Sequence, residues 1–169
     1  HPYLIRNAER LNEVRHDLEA HYALTKDINL SYFGMWTPIA DEDSAFNGHL
    51  DGRGHTISGL WVDHFKLAGL FGNIGSDGVV QNLVLSEVNV SLTDEYLGHA
   101  GALAGILEGT VSNVRVSGGF VTGAESAGGL VGKAYNGALI QASCTNLIVS
   151  GTDYLTFTGG LVGSLSHAE

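Results

Sequence analysis

The sequence has very little of several things that usually hold or direct a protein. There is one cysteine, Cys144, so no internal disulfide can form and stability must come from packing and backbone pairing. Only 2 prolines occur in 169 residues. No apolar run approaches the roughly 18 residues that span a bilayer, and no signal peptide is recognisable. Positive charge is scarce too: 8 Lys and Arg stand against 18 Asp and Glu, a formal net charge of −10, and the basic residues are scattered. Nucleic acid is therefore not an expected partner, since that affinity rests on clustered Lys and Arg neutralising phosphates. Membrane insertion is not expected either. Charged residues make up only 15% of the chain against 44% hydrophobic, which is too apolar for disorder. Glycine, by contrast, is abundant at 24 residues, too many for a helical bundle. The mixture points to strands separated by tight turns, in one domain covering 1–169.

Much of the glycine sits in a repeated word. GGLVG occurs at 128–132 and again at 159–163, with looser copies AGLFG at 68–72 and GALAG at 101–105. Around these words the chain aligns with itself. Val80, Leu83, Leu85 and Val90 fall on Val111, Val114, Val116 and Val121, and then on Leu139, Ala142, Cys144 and Val149. A further shift of 23 brings Ile57, Leu60 and Val62 into the same columns, and a weaker match adds Ile28 and Leu30. Within each copy, column members lie two residues apart, the strand period, so their side chains share a face.

A period of about thirty residues with apolar pairs in register is the pattern of a solenoid, whose coils bury their inner faces only by stacking. The expected fold is all-β: a right-handed parallel β-helix of about five coils over 21–169. A short amphipathic helix at 8–18, with Asn7 as N-cap and Ala8, Leu11, Val14 and Leu18 on one stripe, caps it within 1–20. Leu70, Leu103, Leu130 and Leu161 form another inner column, flanked by glycines where the chain turns or the backbone approaches closely. No GxxxxGK[ST] occurs, so the glycines are structural rather than a phosphate cradle. Asn82, Asn113 and Gln141 make a polar ladder, and Cys144, in line with Leu85 and Val116, is a small buried hydrophobe. The last coil is expected to lack a second strand, since little chain follows its glycine word, and the chain starts at His1 rather than Met. Both suggest part of a longer polypeptide whose open edge meets more of the parent chain or another copy.

The glycine words resemble the GLUG motif of bacterial surface and secreted proteins. The opening YLIRNAERLNEVRHDLEAHYALTKDINLS and the stretch FNGHLDGRGHTISGLWV are similar to segments that precede such repeats. The resemblance implies a right-handed β-helix in an exported protein, an adhesin-like protein or an accessory region of a surface protease, and so an extracellular or cell-surface location.

Candidate chemistry is sparse. A β-helix enzyme acting on polysaccharide needs carboxylates converging on neighbouring coils. Asp41, Glu42 and Asp43 are the densest acidic cluster, read as a solvated loop without the spacing of a calcium loop. Asp51, Gly52, Gly54 and His55 read as turn chemistry. His49, His55 and His64 match no metal-binding spacing. No GxSxG elbow is present. No catalytic residue, metal site or cofactor is therefore expected. The binding candidates are Trp36 and Trp61 on the outer face, where aromatics can stack on carbohydrate; the alternative for Trp36 is packing the 31–47 loop onto the first coils. The functional expectation is a non-catalytic rigid stalk or display scaffold, with host or matrix glycan or protein met by outer loops such as 31–47 and 91–99. Two alternatives are a filament or end-to-end oligomer joined at the last coil, and the N-terminal part of a polysaccharide-active enzyme.

Overall fold

The computed structural model describes residues 1–92, 97–135, 138–152 and 156–167. It shows the expected all-β parallel solenoid. Strand β1 (Tyr3–Ile5) leads into helix α1 (Ala8–Asn12) and a 3-10 turn (Glu13–His16). The first coil contains β2 (His21–Leu24), β3 (Ile28–Asn29) and the segment 36–46. The second runs β4 (His49–Asp51), β5 (Thr56–Ser58), β6 (Trp61–His64), β7 (Leu67–Ala68) and β8 (Phe71–Ile74). The third has β9 (Val79–Leu92), β10 (His99–Gly101) and β11 (Ala104–Leu107). The fourth has β12 (Thr110–Gly123), β13 (Ser126–Gly128) and β14 (Val131–Tyr135), and the fifth β15 (Leu139–Gly151), β16 (Phe157–Gly159) and β17 (Val162–Ser166). The last coil thus carries the same strands as its neighbours and is not the unfinished one expected, its glycine word running directly into β17.

Every strand pairs in parallel with its counterpart one coil away, which forms one large sheet along β1-β2-β4-β9-β12-β15 and two smaller sheets. The long strands bend at residues in the left-handed region, so that one strand covers several sides of the coil. The first bend is made by Asn82 and Asn113 at φ of 53° and 52°. The second falls at Gly59, Glu87, Gly118 and Asn146. Asparagine and glycine suit these corners because their backbones reach positive φ at low cost.

The inner columns are those of the sequence for the third to fifth coils, with one correction. Val111 pairs with Ile140 rather than Leu139, and a register shift follows between Ser112 and Val114. The fifth coil lacks a residue opposite Asn113, and Gln141 stands against Ser112. The polar ladder is therefore the Asp51 carboxylate followed by the Asn82 and Asn113 amides. The Asn113 Nδ2 donates to Asn82 Oδ1 at 2.9 Å, and Asn82 Nδ2 donates to Asp51 Oδ1 at 3.1 Å. The earlier coils are offset differently from the expected shift of 23. Ile57 lies under Leu85, Val62 under Val90 and Leu50 under Val80. Apolar pairs spaced by two recur several times in one coil, so alignment by pairs alone has more than one solution.

The cap is shorter than 8–18 and has a strand component. Asn7 caps as expected, its Oδ1 accepting from Arg10 N at 3.0 Å, and Leu11 and Val14 are fully buried in the main core. Tyr3 and Ile5 of β1 pair with Tyr22 and Leu24, adding a layer beneath the first coil. The segment 31–47 is not an outer loop but the remainder of that coil. Ile39 and Phe46 form bridges with Phe71 and Ile74 and are fully buried.

The glycine words sit where β7, β10, β13 and β16 turn into the following strands. Leu70, Leu103 and Leu130 are fully buried and Leu161 is half-buried. The words differ by one residue: Ala68 pairs with Ala100, yet Phe71 pairs with Ala104, so Ala102 is an insertion relative to the second coil. The glycines serve close approach rather than unusual φ. A Cβ on Gly101 would lie 2.5 Å from Ala104 O, Leu130 O and Val131 Cα, and Gly101 is not in the left-handed region.

Candidate functional site

With the interior filled by apolar columns, ligands can be met only by outward side chains. The two tryptophans separate. Trp36 is 1% exposed, its Nε1 donates to Leu70 O at 3.1 Å, and its ring packs on Phe33 with centroids 5.2 Å apart. It therefore does not lie on the outer face. The indole fills the first coil because that coil lacks a regular strand there to close it. Trp61 points outward and is 48% exposed, as its place between buried Leu60 and Val62 requires.

Trp61 begins an outward column. It pairs with Asn89, Asn89 with Phe120, and Phe120 with Ile148. Phe120 and Ile148 are 54% and 59% exposed. Two residues along the strands a polar column runs beside it: Asp63, Ser91, Thr122 and Ser150. Ser91 Oγ donates to Asp63 Oδ1 at 3.3 Å, and the Thr122 and Ser150 hydroxyls are 3.0 Å apart. Immediately before the second bend one outward column is purely hydroxylic: Ser58, Ser86, Ser117 and Thr145. The sequence pattern reveals Trp61 but not its partners, because Phe120 and Ile148 fall into its column only when the second coil is offset from the third by 28 rather than 23.

The acidic cluster forms its own turn. Asp41 Oδ1 accepts from the N–H groups of Asp43 and Ser44 and from the Ser44 hydroxyl, which depresses its carboxyl pKa, the hydroxyl contributing most. Glu42 pairs with Lys66 at 2.8 Å. These residues line a groove of about 490 Å³ with Arg15, Thr37, Pro38 and His64. Arg15 is held there by Asn12 Oδ1 and by the carbonyls of Thr37 and Pro38, with Trp36 beneath it.

The three histidines considered as a metal set have separate neighbours. His49 meets the edge of His21, His55 Nδ1 lies 3.1 Å from Asp27 Oδ1, and His64 stacks on Phe65. Among the described residues no three His, Cys, Asp or Glu side chains gather as metal ligands. Asp51 Oδ1 accepts from Arg53 N at 2.8 Å, the turn role expected of it. Gly52 and Gly54 complete that turn, with Gly54 at φ 80°. Burial pushes the Cys144 thiol up to about 11, against nucleophilic use. A histidine–serine pair escaped the sequence reading: His99 Nδ1 lies 2.8 Å from Ser126 Oγ. Ser126 is fully buried, so this pair joins neighbouring coils rather than facing a substrate. Of the outer loop at 91–99, residues 93–96 lie outside the described ones.

The fold and its outward columns define the class: a parallel β-solenoid module with an apolar core and a decorated outer face. No protein-family model matches the chain. Over 157 residues, 85% of the chain, it is 36% identical to a protein of Haloquadratum walsbyi named Halomucin, and that stretch is 2% of the relative. Over 130 residues, 68% of the chain, it is 36% identical to a "Putative Gly-rich membrane protein" of Evansella cellulosilytica, covering 14% of that protein. The chain thus spans a small part of the length of these relatives. Among solved structures it resembles a crystal structure described as "a putative immunoglobulin A1 protease" from Bacteroides ovatus. The TM-score is 0.52 at 16% identity, over 98% of this chain and 74% of that one. At that identity the likeness is one of fold. No helix among the described residues is long and apolar enough to cross a membrane.

Proposed function

We propose that the chain is a non-catalytic segment of a larger surface-located protein, a rigid stalk or display scaffold that offers its outer face for adhesion. The observation that carries this reading is repetition in register. One unit of strands and bends recurs coil after coil with the same inward positions apolar, which adds length and stiffness without adding a reactive group. The names of the two relatives, one a halomucin and one a membrane protein, support a surface setting. The GLUG-like words support the same reading, and so does the net charge of −10, which favours solubility and self-repulsion over nonspecific anion binding. The enzyme alternative needs converging free carboxylates, whereas the densest acidic group is engaged in its own turn and with Lys66. The test is incubation of the purified chain with a panel of polysaccharides and with immunoglobulin, read by reducing ends and electrophoresis. Unchanged substrates are expected; specific turnover of any of them overturns the reading.

A second reading, stacking on a further coil or another copy, is favoured by one contrast. Inward residues of the fifth coil, including Ile140, Ala142, Leu147 and Val149, are only half-buried, while Val80, Leu83, Val88 and Val90 of the third are fully covered. Light scattering over a concentration series, beside Leu161→Asp/Val162→Asp, discriminates: self-stacking requires association that the double substitution abolishes.

A further inference from the structure

The outward columns of the large sheet provide an internal comparison. They share one sheet and one solvent, yet just before the second bend the chain places Ser58, Ser86 and Ser117, while just after it the chain places Trp61 and Phe120 in line along the solenoid axis. Water favours the first choice and gives no reason for the second, since half-exposed aromatic rings lose the free energy that burial supplies. We infer that the Trp61–Phe120 stripe is a binding face for an uncharged linear glycan lying parallel to the solenoid axis.

Width argues against a protein occupant. With about 150–250 Å² for a whole aromatic side chain, the exposed halves of Trp61 and Phe120 offer roughly 200 Å². A stable protein interface needs about 800 Å² a side. A sugar chain is narrow enough to lie on such a line. Its rings present apolar C–H faces that stack on aromatics and hydroxyl edges that need polar partners. Those partners stand alongside. Asn89 lies between the two rings in the same column, and Asp63, Ser91 and Thr122 form the column next to it. Spacing fits as well: Trp61 and Phe120 are two coils apart, about 9.6 Å at the strand separation of a sheet, near the length of a disaccharide. Charge then selects the chemistry. With Asp63 adjacent and a net charge of −10, uronate or sulfated chains are repelled and neutral ones are not.

The inference rests on the scaffold reading above, and the experiment separates the two. Purified chain is titrated by calorimetry with a β-1,4-linked glucose hexasaccharide, an N-acetylglucosamine hexasaccharide and, as the anionic probe, a galacturonate hexasaccharide. Tryptophan emission reports in parallel, because Trp61 is exposed and Trp36 is buried. At least one neutral probe should bind with a Kd near ~1 mM or below. Phe120→Ala should weaken it about tenfold with unchanged circular dichroism, and Ser86→Ala on the hydroxylic column should leave it unaltered. The inference is overturned if neither neutral probe binds at about 10 mM, where millimolar affinity registers. It is also overturned if the galacturonate binds better, if Phe120→Ala has no effect, or if the stripe is covered by dimerisation that Phe120→Ala dissolves. Cleavage of a bound probe would instead overturn the scaffold reading and leave the binding face standing.

Discussion

Replacing Gly101 by alanine tests what the repeated glycine word is for. The added Cβ would lie 2.5 Å from Ala104 O, Leu130 O and Val131 Cα, all backbone atoms of its own and the next coil. Ordinary contact begins near about 3.5 Å, so the two coils must separate locally by about 1 Å. Across that gap Leu103 N donates to Leu130 O at 2.9 Å and Ala104 N to the same oxygen at 3.3 Å. Both bonds would be lost at about 1 kcal/mol each, and residual overpacking adds about 1–3 kcal/mol. The expected loss is thus about 3–5 kcal/mol. Gly101 has an ordinary φ, so none of this is backbone strain. Gly160→Ala is the control, because a Cβ there meets nothing within 4 Å; it should change stability by less than about 0.5 kcal/mol. Urea unfolding followed by far-ultraviolet circular dichroism measures both. If Gly101→Ala is as stable as the parent, or Gly160→Ala is equally damaging, the close-approach account of the word is wrong.

Further expectations follow from the ladder, the buried imidazole and the thiol. Asn113→Ala should lose about 1–2 kcal/mol, through the left-handed corner and the Asn82 hydrogen bond, while Asn113→Gly, which keeps the corner, should lose less; urea midpoints separate them. Burial lowers the His99 pKa, and the negative charge of Glu125 only partly opposes this. The unfolded chain therefore binds a proton that the folded one refuses, and stability should decline as pH falls below about 6.5, by up to about 1.4 kcal/mol per unit. His99→Gln should flatten that decline in pH-dependent melting. Cys144, pushed from 9.0 to about 11 by burial, should hold about a hundredfold less thiolate below pH 9 than a free thiol. Its native-state reaction with a disulfide reagent should be correspondingly slow and should recover in urea.

How far the sequence reveals the structure depends on how repetitive each part is. The long strands of the third and fourth coils align without gaps, and Val80, Leu83, Leu85 and Val90 stand under the residues read from spacing. The first two coils were harder, because each divides into short strands whose apolar pairs look alike. Only longer-range pairing decides that Ile57 belongs under Leu85. Trp36 looks like a surface aromatic in a polar loop, yet it is buried because the first coil closes irregularly and needs a large ring to fill the space. Trp61 was legible, since strict alternation fixes its direction. Its column with Phe120 was not, because outward positions leave no hydrophobic signal that would fix the offset. The missing counterpart of Asn113 was hidden by two flanking segments that align equally well with either spacing.

The account rests on coils stacked in register, since the proposed stalk role and the line of the outer stripe both depend on it. The direct test is a pair of spin labels on the hydroxylic column, with Cys144 replaced by serine. One pair joins Ser86→Cys with Ser117→Cys, one coil apart, and the other joins Ser86→Cys with Thr145→Cys, two coils apart. Their backbones should lie about 4.8 and about 9.6 Å apart. Strong dipolar broadening in the first pair and clearly weaker broadening in the second is the predicted result. Equal broadening in both, or none in the first, would contradict the stacked register and the function drawn from it.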